Sequence, residues 1–469
     1  MDKYRACWLY FQIPTVEIRH KGMNFAESLV IMWATAPRNF YQPLDRLETE
    51  LRLRPSQVAP GRAMRNTSPY ARMWRNTLLA AAAGRSNPLG CGGEQSGTYG
   101  GAPMSSLSGL RIADFSRILA GPLATMVLAD LGADVIKIER PGSGDDTRAW
   151  GPPYDSDGAA TYFLAANRNK SSVAIDLSSA AGRLQARSLA IESGIVVENF
   201  RPGVMDRLGL GYDSLREARP DLVFCSINAF GSGAGAALPG YDLLVQAVGG
   251  LMSVTGEADG DPQKVGVALV DVIAGLFAAV GVLAAVRHRE HTGEGQLVEV
   301  DLLSALLAGL VNQASAFTAA GVVGSRRGNE HPSIAPYETL PTADGQLALA
   351  VGNDKQFVAL CAVLDIPSVA TDPRFVTNAV RVANRSALKR ELNSRLAARS
   401  TADWVLAMAA AGVPAGPVND IKEAFALAQS LGLDPIVTVG GKELTRNPIR
   451  LSATPVTYRL APPDLPTPQ

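Results

Sequence analysis

At 469 residues, with 47% apolar and 19% charged side chains, the chain is long enough for two hydrophobic cores and too apolar for disorder as a whole. Its 44 Lys and Arg balance 44 Asp and Glu, so no overall field points to nucleic acid, although a small polyanion needs only a few local cations. Cys7, Cys91, Cys225 and Cys361 form no CxxC pair, which suggests neither a disulfide framework nor a cysteine-rich metal site and suits a reducing cytoplasm.

Residues 1–103 carry scattered arginines, tryptophans and tyrosines and close on a Gly- and Ser-rich run over 84–101. They are expected to be an atypical N-terminal extension, and they lack the features of a secretory leader. From Met104 the pattern becomes regular. Short apolar strands are expected at 111–115, 134–138, 173–177, 195–197 and 222–227, with helices between them, one starting at Pro122 and one over 181–190. This alternation predicts an α/β domain with a parallel sheet and ligand loops beyond the carboxyl ends of its strands. Residues 241–320 read as long apolar helices, around Asp271 and from Val300 onward, and a boundary is expected at 321–331. A smaller α+β domain follows, with a strand at 347–351 and helices near 355–364, 385–398 and 401–411. The expected division is 104–325 for the large domain, 326–430 for the small one, and 431–469 returning to the large one.

Asp271 is the most informative position. It is the sole ionisable residue among the 22 between Lys264 and Arg287. That length could cross a bilayer, but an isolated carboxylate in lipid is costly, so a buried helix of a non-membrane protein is expected. A carboxylate in apolar surroundings is poised for proton transfer or for attack on a carbonyl. It could equally cap a helix beginning at Val272, and the two roles are compatible.

The run Ser116-Arg117-Ile118-Leu119-Ala120-Gly121-Pro122 follows the first strand and opens a helix, where exposed amides suit an anion or a ligand carbonyl. It is neither GxGxxG nor a Walker loop. Arg140, Asn169, Lys170, Asn199 and Arg207 recur after successive strands as phosphate-suited groups, with Phe200 available to cover an adenine face. The four histidines have no zinc-ligand spacing, and Ser226 lies in no GxSxG elbow, so neither a metal site nor hydrolase chemistry is indicated.

Several ordered motifs then coincide. They are Leu107-Ser-Gly-Leu-Arg-Ile-Ala-Asp-Phe-Ser, Leu131-Gly-Ala-Asp-Val-Ile-Lys-Ile-Glu-Arg-Pro-Gly-Ser-Gly-Asp145, Asn167-Arg-Asn-Lys170, Glu198-Asn-Phe-Arg-Pro-Gly, Gly240-Tyr-Asp and Pro414-Ala-Gly-Pro-Val418. Together they resemble the family III CoA-transferases, the group that includes formyl-CoA transferase and carnitine CoA-transferase. The resemblance implies a Rossmann-like large domain, a smaller domain and an interlocked homodimer. It implies acyl-CoA and carboxylic acids as substrates, with no tightly bound cofactor. It places Asp271 as the catalytic carboxylate, acting through aspartyl-anhydride and aspartyl-CoA intermediates. Arg117, Ile118, Leu119, Arg140, Asn169, Lys170, Asn199, Phe200 and Arg207 fall at or near CoA-contacting positions. The superfamily also holds 2-methylacyl-CoA racemases, whose Gly-His-Asp motif corresponds to Gly240-Tyr241-Asp242 here. A phenol with its ordinary pKa near ~10 is a poor base, which favours transfer. A non-catalytic CoA-binding relative is the third alternative.

Overall fold

The computed structural model describes residues 105–466, and the expected N-terminal extension lies outside them. Six strands form one parallel sheet: β1 (Arg111–Asp114), β2 (Asp134–Glu139), β3 (Lys170–Ala174), β4 (Gly194–Glu198), β5 (Val223–Asn228) and β6 (Leu297–Asp301), in the order 3-2-1-4-5-6. The central strands read as near-continuous apolar runs because helices cover both faces, as parallel sheets require. β4, for example, is buried at every position.

On one face lie α1 (Ala120–Asp130) and α4 (Leu269–Thr292), whose Ala124, Leu128, Ala274, Ala278 and Val282 share a core with Ile112, Val135, Ile195 and Val223. On the other, α2 (Ala180–Ser193) packs Ala186 and Ala190 against Ala113, Val196 and Phe224. Strand order reverses between β1 and β4, so the loops leaving these two strands diverge and leave a crevice at their carboxyl ends.

Two departures from the sequence reading have clear causes. The third strand covers Lys170–Ala174 rather than 173–177, pairing Val135 with Lys170 and Glu139 with Ala174. Its polar start is hidden from periodicity because the Lys170 ammonium turns inward to neutralise buried Asp114. β6 lies where the apolar helical region was expected to run on from Val300. Alternating Leu-Val-Glu-Val-Asp makes an outer strand on β5, and α5 (Leu302–Gly309) begins only after Asp301, which caps it by accepting from the Ser304 amide.

α3 (Asp242–Val248) and α6 (Asn312–Ala320) complete the helical region. α4 is long and apolar enough to cross a membrane, yet Val270, Ala274, Ala278, Val282, Ala285 and Val286 are buried in the protein's own core. A second core gathers around an antiparallel sheet of β7 (Tyr337–Pro341), β8 (Gln346–Ala350) and β9 (Ala415–Pro417). α7 (Asp354–Val363), α8 (Arg385–Leu396) and α9 (Thr401–Ala410) pack Phe357, Leu388, Leu392 and Trp404 against that sheet. β10 (Ile436–Val439) and β11 (Lys442–Thr445) make a hairpin, after which the chain lies against the parallel-sheet region. There Asn447 donates to Asp130, and Asn169 donates to the Thr457 carbonyl.

Candidate active site

Asp271 sits in the first turn of α4 and lines a cavity of about 220 Å³ at the β1/β4 crevice. The lining includes Ile118 and Leu119 after β1, Asn199 and Phe200 after β4, Asn228 at the end of β5, and Tyr241 before α3. Asp271 is not the helix cap. That work falls to buried Asp242, whose Oδ1 accepts from the amides of Val270 (2.8 Å) and Asp271 (3.2 Å). Leu269 and Val272 donate to the carbonyls of Val267 and Ala268. The first four amides of α4 are thus engaged elsewhere, and none is left for the Asp271 carboxylate. Burial, with the Asp242 charge beside it, pushes Asp271 up to about 7. Tyr162 belongs to the same neighbourhood, its phenol raised by burial and then by the charges of Asp271 and Asp242.

The loop between β1 and α1 is held from beneath by buried charge. Asp114 accepts from the Ser116 amide (3.0 Å), the Ser116 hydroxyl, Thr125 (2.7 Å) and Lys170 (3.1 Å). Its pKa is therefore lowered in spite of burial, which opposes ionisation, chiefly by Lys170 and then by Lys137 and the two hydroxyls. Lys137 pairs with Asp145 at 2.9 Å and donates to the Ser116 carbonyl, while Asp145 accepts from the Ile118 amide with both oxygens at 3.3 Å. Ile118 is left-handed at φ 69°, a strained conformation for a β-branched residue, so this anchoring fixes a backbone that the residue would not choose. Gly121 is required where α1 begins, because a Cβ there would collide with Ser116.

From above, Asn199 clamps the same loop twice. Its Oδ1 accepts from the Arg117 amide and its Nδ2 donates to the Arg117 carbonyl, each at 2.7 Å. The Arg117 guanidinium lies 4.8 Å from the Phe200 ring centroid. On the far side of Phe200 a second cavity of about 200 Å³ is lined by Arg117, Arg140, Phe115 and Ile175, so Phe200 is a wall shared by both spaces.

The structure therefore brings Asp271, Ile118, Leu119, Asn199 and Phe200 to one cavity and Arg117, Arg140 and Phe200 to the next. Arg140 is exposed and paired with Asp146. Asn169 and Lys170 line neither cavity. The three Lys170 protons are taken by Asp114, Asn167 and the Pro122 carbonyl, and burial lowers its pKa to about 8 although Asp114 raises it. Asn169 bonds Asp130 and the 457–460 segment. Arg207 is exposed at the end of a short helix and lines neither cavity. Asp242, Tyr162 and Phe230, the last of which also lines the Asp271 cavity, were not anticipated as site residues. Asp242 carried one signal, lying next to Tyr241 in an already noted motif, whereas Tyr162 reaches the site only through folding.

Among the described residues no cluster of metal-ligating side chains forms. With this geometry in place, comparison with known proteins is informative. The model of CoA-transferase family III matches residues 107–467. The succinate–glutarate CoA-transferase of Agrobacterium fabrum is 42% identical over 370 residues, covering 76% of this chain and 92% of the relative. The acetyl-CoA:oxalate CoA-transferase of Acetobacter aceti is 40% identical over 352 residues, 75% of this chain and 90% of the relative. A crystal structure of a CAIB/BAIF family protein from Brucella suis superposes with a TM-score of 0.70 at 42% identity, covering 77% of this chain and 96% of that one. Fold, motifs and relatives agree, and the chain belongs to CoA-transferase family III.

Proposed function

We propose that this enzyme moves CoA from a donor acyl-CoA to a free dicarboxylic acid, with Asp271 as the nucleophile. The observation that carries the reading is a carboxylate lining a cavity, its pKa raised to about 7 by burial and by Asp242, with no cation among the described residues and no α4 amide spent on stabilising it. Such a group ionises in the pH range of turnover while keeping its lone pairs poorly solvated.

The Asp271 carboxylate adds to the thioester carbonyl and expels CoA thiolate, leaving an aspartyl-acyl anhydride. Thiolate then attacks the Asp271 carbonyl, releasing the donor acid and forming an aspartyl-CoA thioester. The acceptor carboxylate attacks that thioester to give a new anhydride and thiolate. Attack of thiolate on the acceptor acyl carbon yields the new acyl-CoA and restores Asp271. Developing oxyanions need donors, and α1 opens on the same cavity with no side chain capping its first amides at Leu119 and Ala120. The second cavity, with Arg117 and Arg140 at its rim and Phe200 as a flat wall, suits the nucleotide end of CoA. Asn169 and Lys170 serve this site indirectly, by tying down the backbone around α1. Relatives named for succinate, glutarate and oxalate support the dicarboxylate class.

Proton exchange of the racemase type is not favoured, because Tyr241 stands where that chemistry uses a histidine and no histidine among the described residues lines the cavity. Hydroxylamine added during turnover with succinyl-CoA should convert Asp271 to its hydroxamate, seen as a mass shift on the peptide carrying it. Steady transfer with no adduct at Asp271 would refute the covalent route.

A further inference from the structure

Five buried carboxylates in the described residues have a cation beside them: Asp114 with Lys170, Asp145 with Lys137, Asp130 with Arg168, Glu139 with Arg148 and Glu338 with Lys389. Glu198 does not. It is 4% exposed, in the last position of β4, immediately before Asn199 and Phe200, which line the cavities. What it has instead is a 2.7 Å hydrogen bond from the Phe200 amide to its Oε2, with Ser226 as its registered partner on β5.

Burying an uncompensated carboxyl costs stability, so its position calls for a reason. The residues that follow supply one. Asn199 clamps the Arg117 backbone, and Phe200 separates the cavity of Asp271 from the cavity of Arg117 and Arg140. A hinge of one residue thus joins Glu198 to the element that aligns both halves of the proposed ligand.

We propose that Glu198 is a positioning residue, whose ionised side chain fixes the Phe200 backbone and so sets the alignment of the two cavities for CoA. The hold is strongest when Glu198 is charged, because a hydrogen bond from an amide N–H to a carboxylate is roughly twice as strong as one to a neutral acceptor. Burial pushes its pKa up to about 7, against the pull of Ser226 and the Phe200 amide, with Asp206 adding to the rise. The titratable groups facing it are Asp206 on the short helix after β4 and Cys225 on β5, whose thiol is itself raised to about 12 by burial and by Glu198. On the other flank β1 ends at Asp114, already neutralised by Lys170. The protonation of Glu198 therefore tunes CoA affinity across neutral pH. This rests on the reading that the cavities hold CoA.

The test is the Kd of free CoA, by calorimetry, for D271N and for D271N/E198Q at pH 5.5 and 8.5. Fixing position 271 as neutral removes its titration, and ionisation of the ligand phosphate cancels in the ratio of the two constants. That ratio should be near 1 at pH 5.5 and rise to about five- to tenfold at pH 8.5, the loss expected when a charge-assisted bond becomes a neutral one. A ratio near 1 at both pH values, or one equally raised at both, would overturn the proposal. If D271N binds no CoA at either pH, the assignment of the cavities fails and this inference falls with it, a result distinct from unchanged binding by E198Q. Should E198Q not fold, D271N/S226A serves instead. Losing the Ser226 hydroxyl should move the midpoint of the Kd–pH curve of D271N upward by about half a unit or more, and an unmoved midpoint would refute the idea.

Discussion

Asp271 is made reactive by what its neighbours withhold. Asp242 takes the two amides that would otherwise lower its pKa, and adds a like charge. The same arrangement has a cost in stability, and its sign is definite. The folded pKa lies near 7 and the ordinary value is 3.8, so the folded state binds more protons than the unfolded one between these limits. This contribution is most favourable below the ordinary value, falls as pH rises through the window and stays low above it. Asp271→Asn should therefore abolish transfer, by ~10³-fold or more, while raising Tm at pH 8 by on the order of 1–3 °C and leaving Tm unchanged near pH 4. Scanning calorimetry at the two pH values checks this, together with an acyl-CoA transfer assay. In the wild-type enzyme kcat/KM for the donor should fall about tenfold per unit below roughly pH 7, as the nucleophile is protonated.

At the scale of elements, the site depends on how closely α4 approaches the start of α1. Gly275, one turn after Asp271, permits that approach, since a Cβ there would lie 2.6 Å from the Ala120 carbonyl oxygen. Backbone cannot yield as a flexible side chain would. Gly275→Ala should separate the nucleophile from the amides at Leu119 and Ala120, lowering kcat at least tenfold and costing about 1–3 kcal/mol by overpacking. Urea unfolding and steady-state kinetics give the two readouts, and unchanged kcat would show that this approach does not set the catalytic geometry. Beneath α1 the Asp114–Lys170 and Asp145–Lys137 pairs hold the 116–122 backbone in a shape its residues would not adopt alone.

Across the whole molecule, the apolar helices that surround the site leave large side chains in solvent. Phe277 and Val280 on α4, Leu307 on α5 and Phe317 on α6 are each more than two-fifths exposed. Large apolar side chains left in solvent on several helices are of the kind that an interface covers. The interlocked homodimer implied by the family resemblance would cover it, and we propose that assembly for this protein. Sedimentation equilibrium should give twice the 49.4 kDa chain mass, and Val280→Glu combined with Phe317→Glu should yield monomer or unassembled protein. A monomeric wild-type enzyme with full activity would exclude the assembly.

Sequence by itself was sufficient for the α/β class, the helices around Asp271 and the small domain's main elements, because each is written in local periodicity; one charge within an apolar run singled out Asp271, while its role as nucleophile came only from the family resemblance. Two strands resisted reading, since Lys170 opens β3 to satisfy a distant Asp114 and acidic alternation in β6 looks like a break between helices. Folding alone decided that Asp242 rather than Asp271 caps α4, that Asn199 grips Arg117 from 82 residues away, and that Lys170 turns inward and not toward either cavity. These facts are set by which strand ends meet where the sheet order reverses. Chain neighbours carry no record of that meeting, because the partners of a buried charge are chosen by proximity in space.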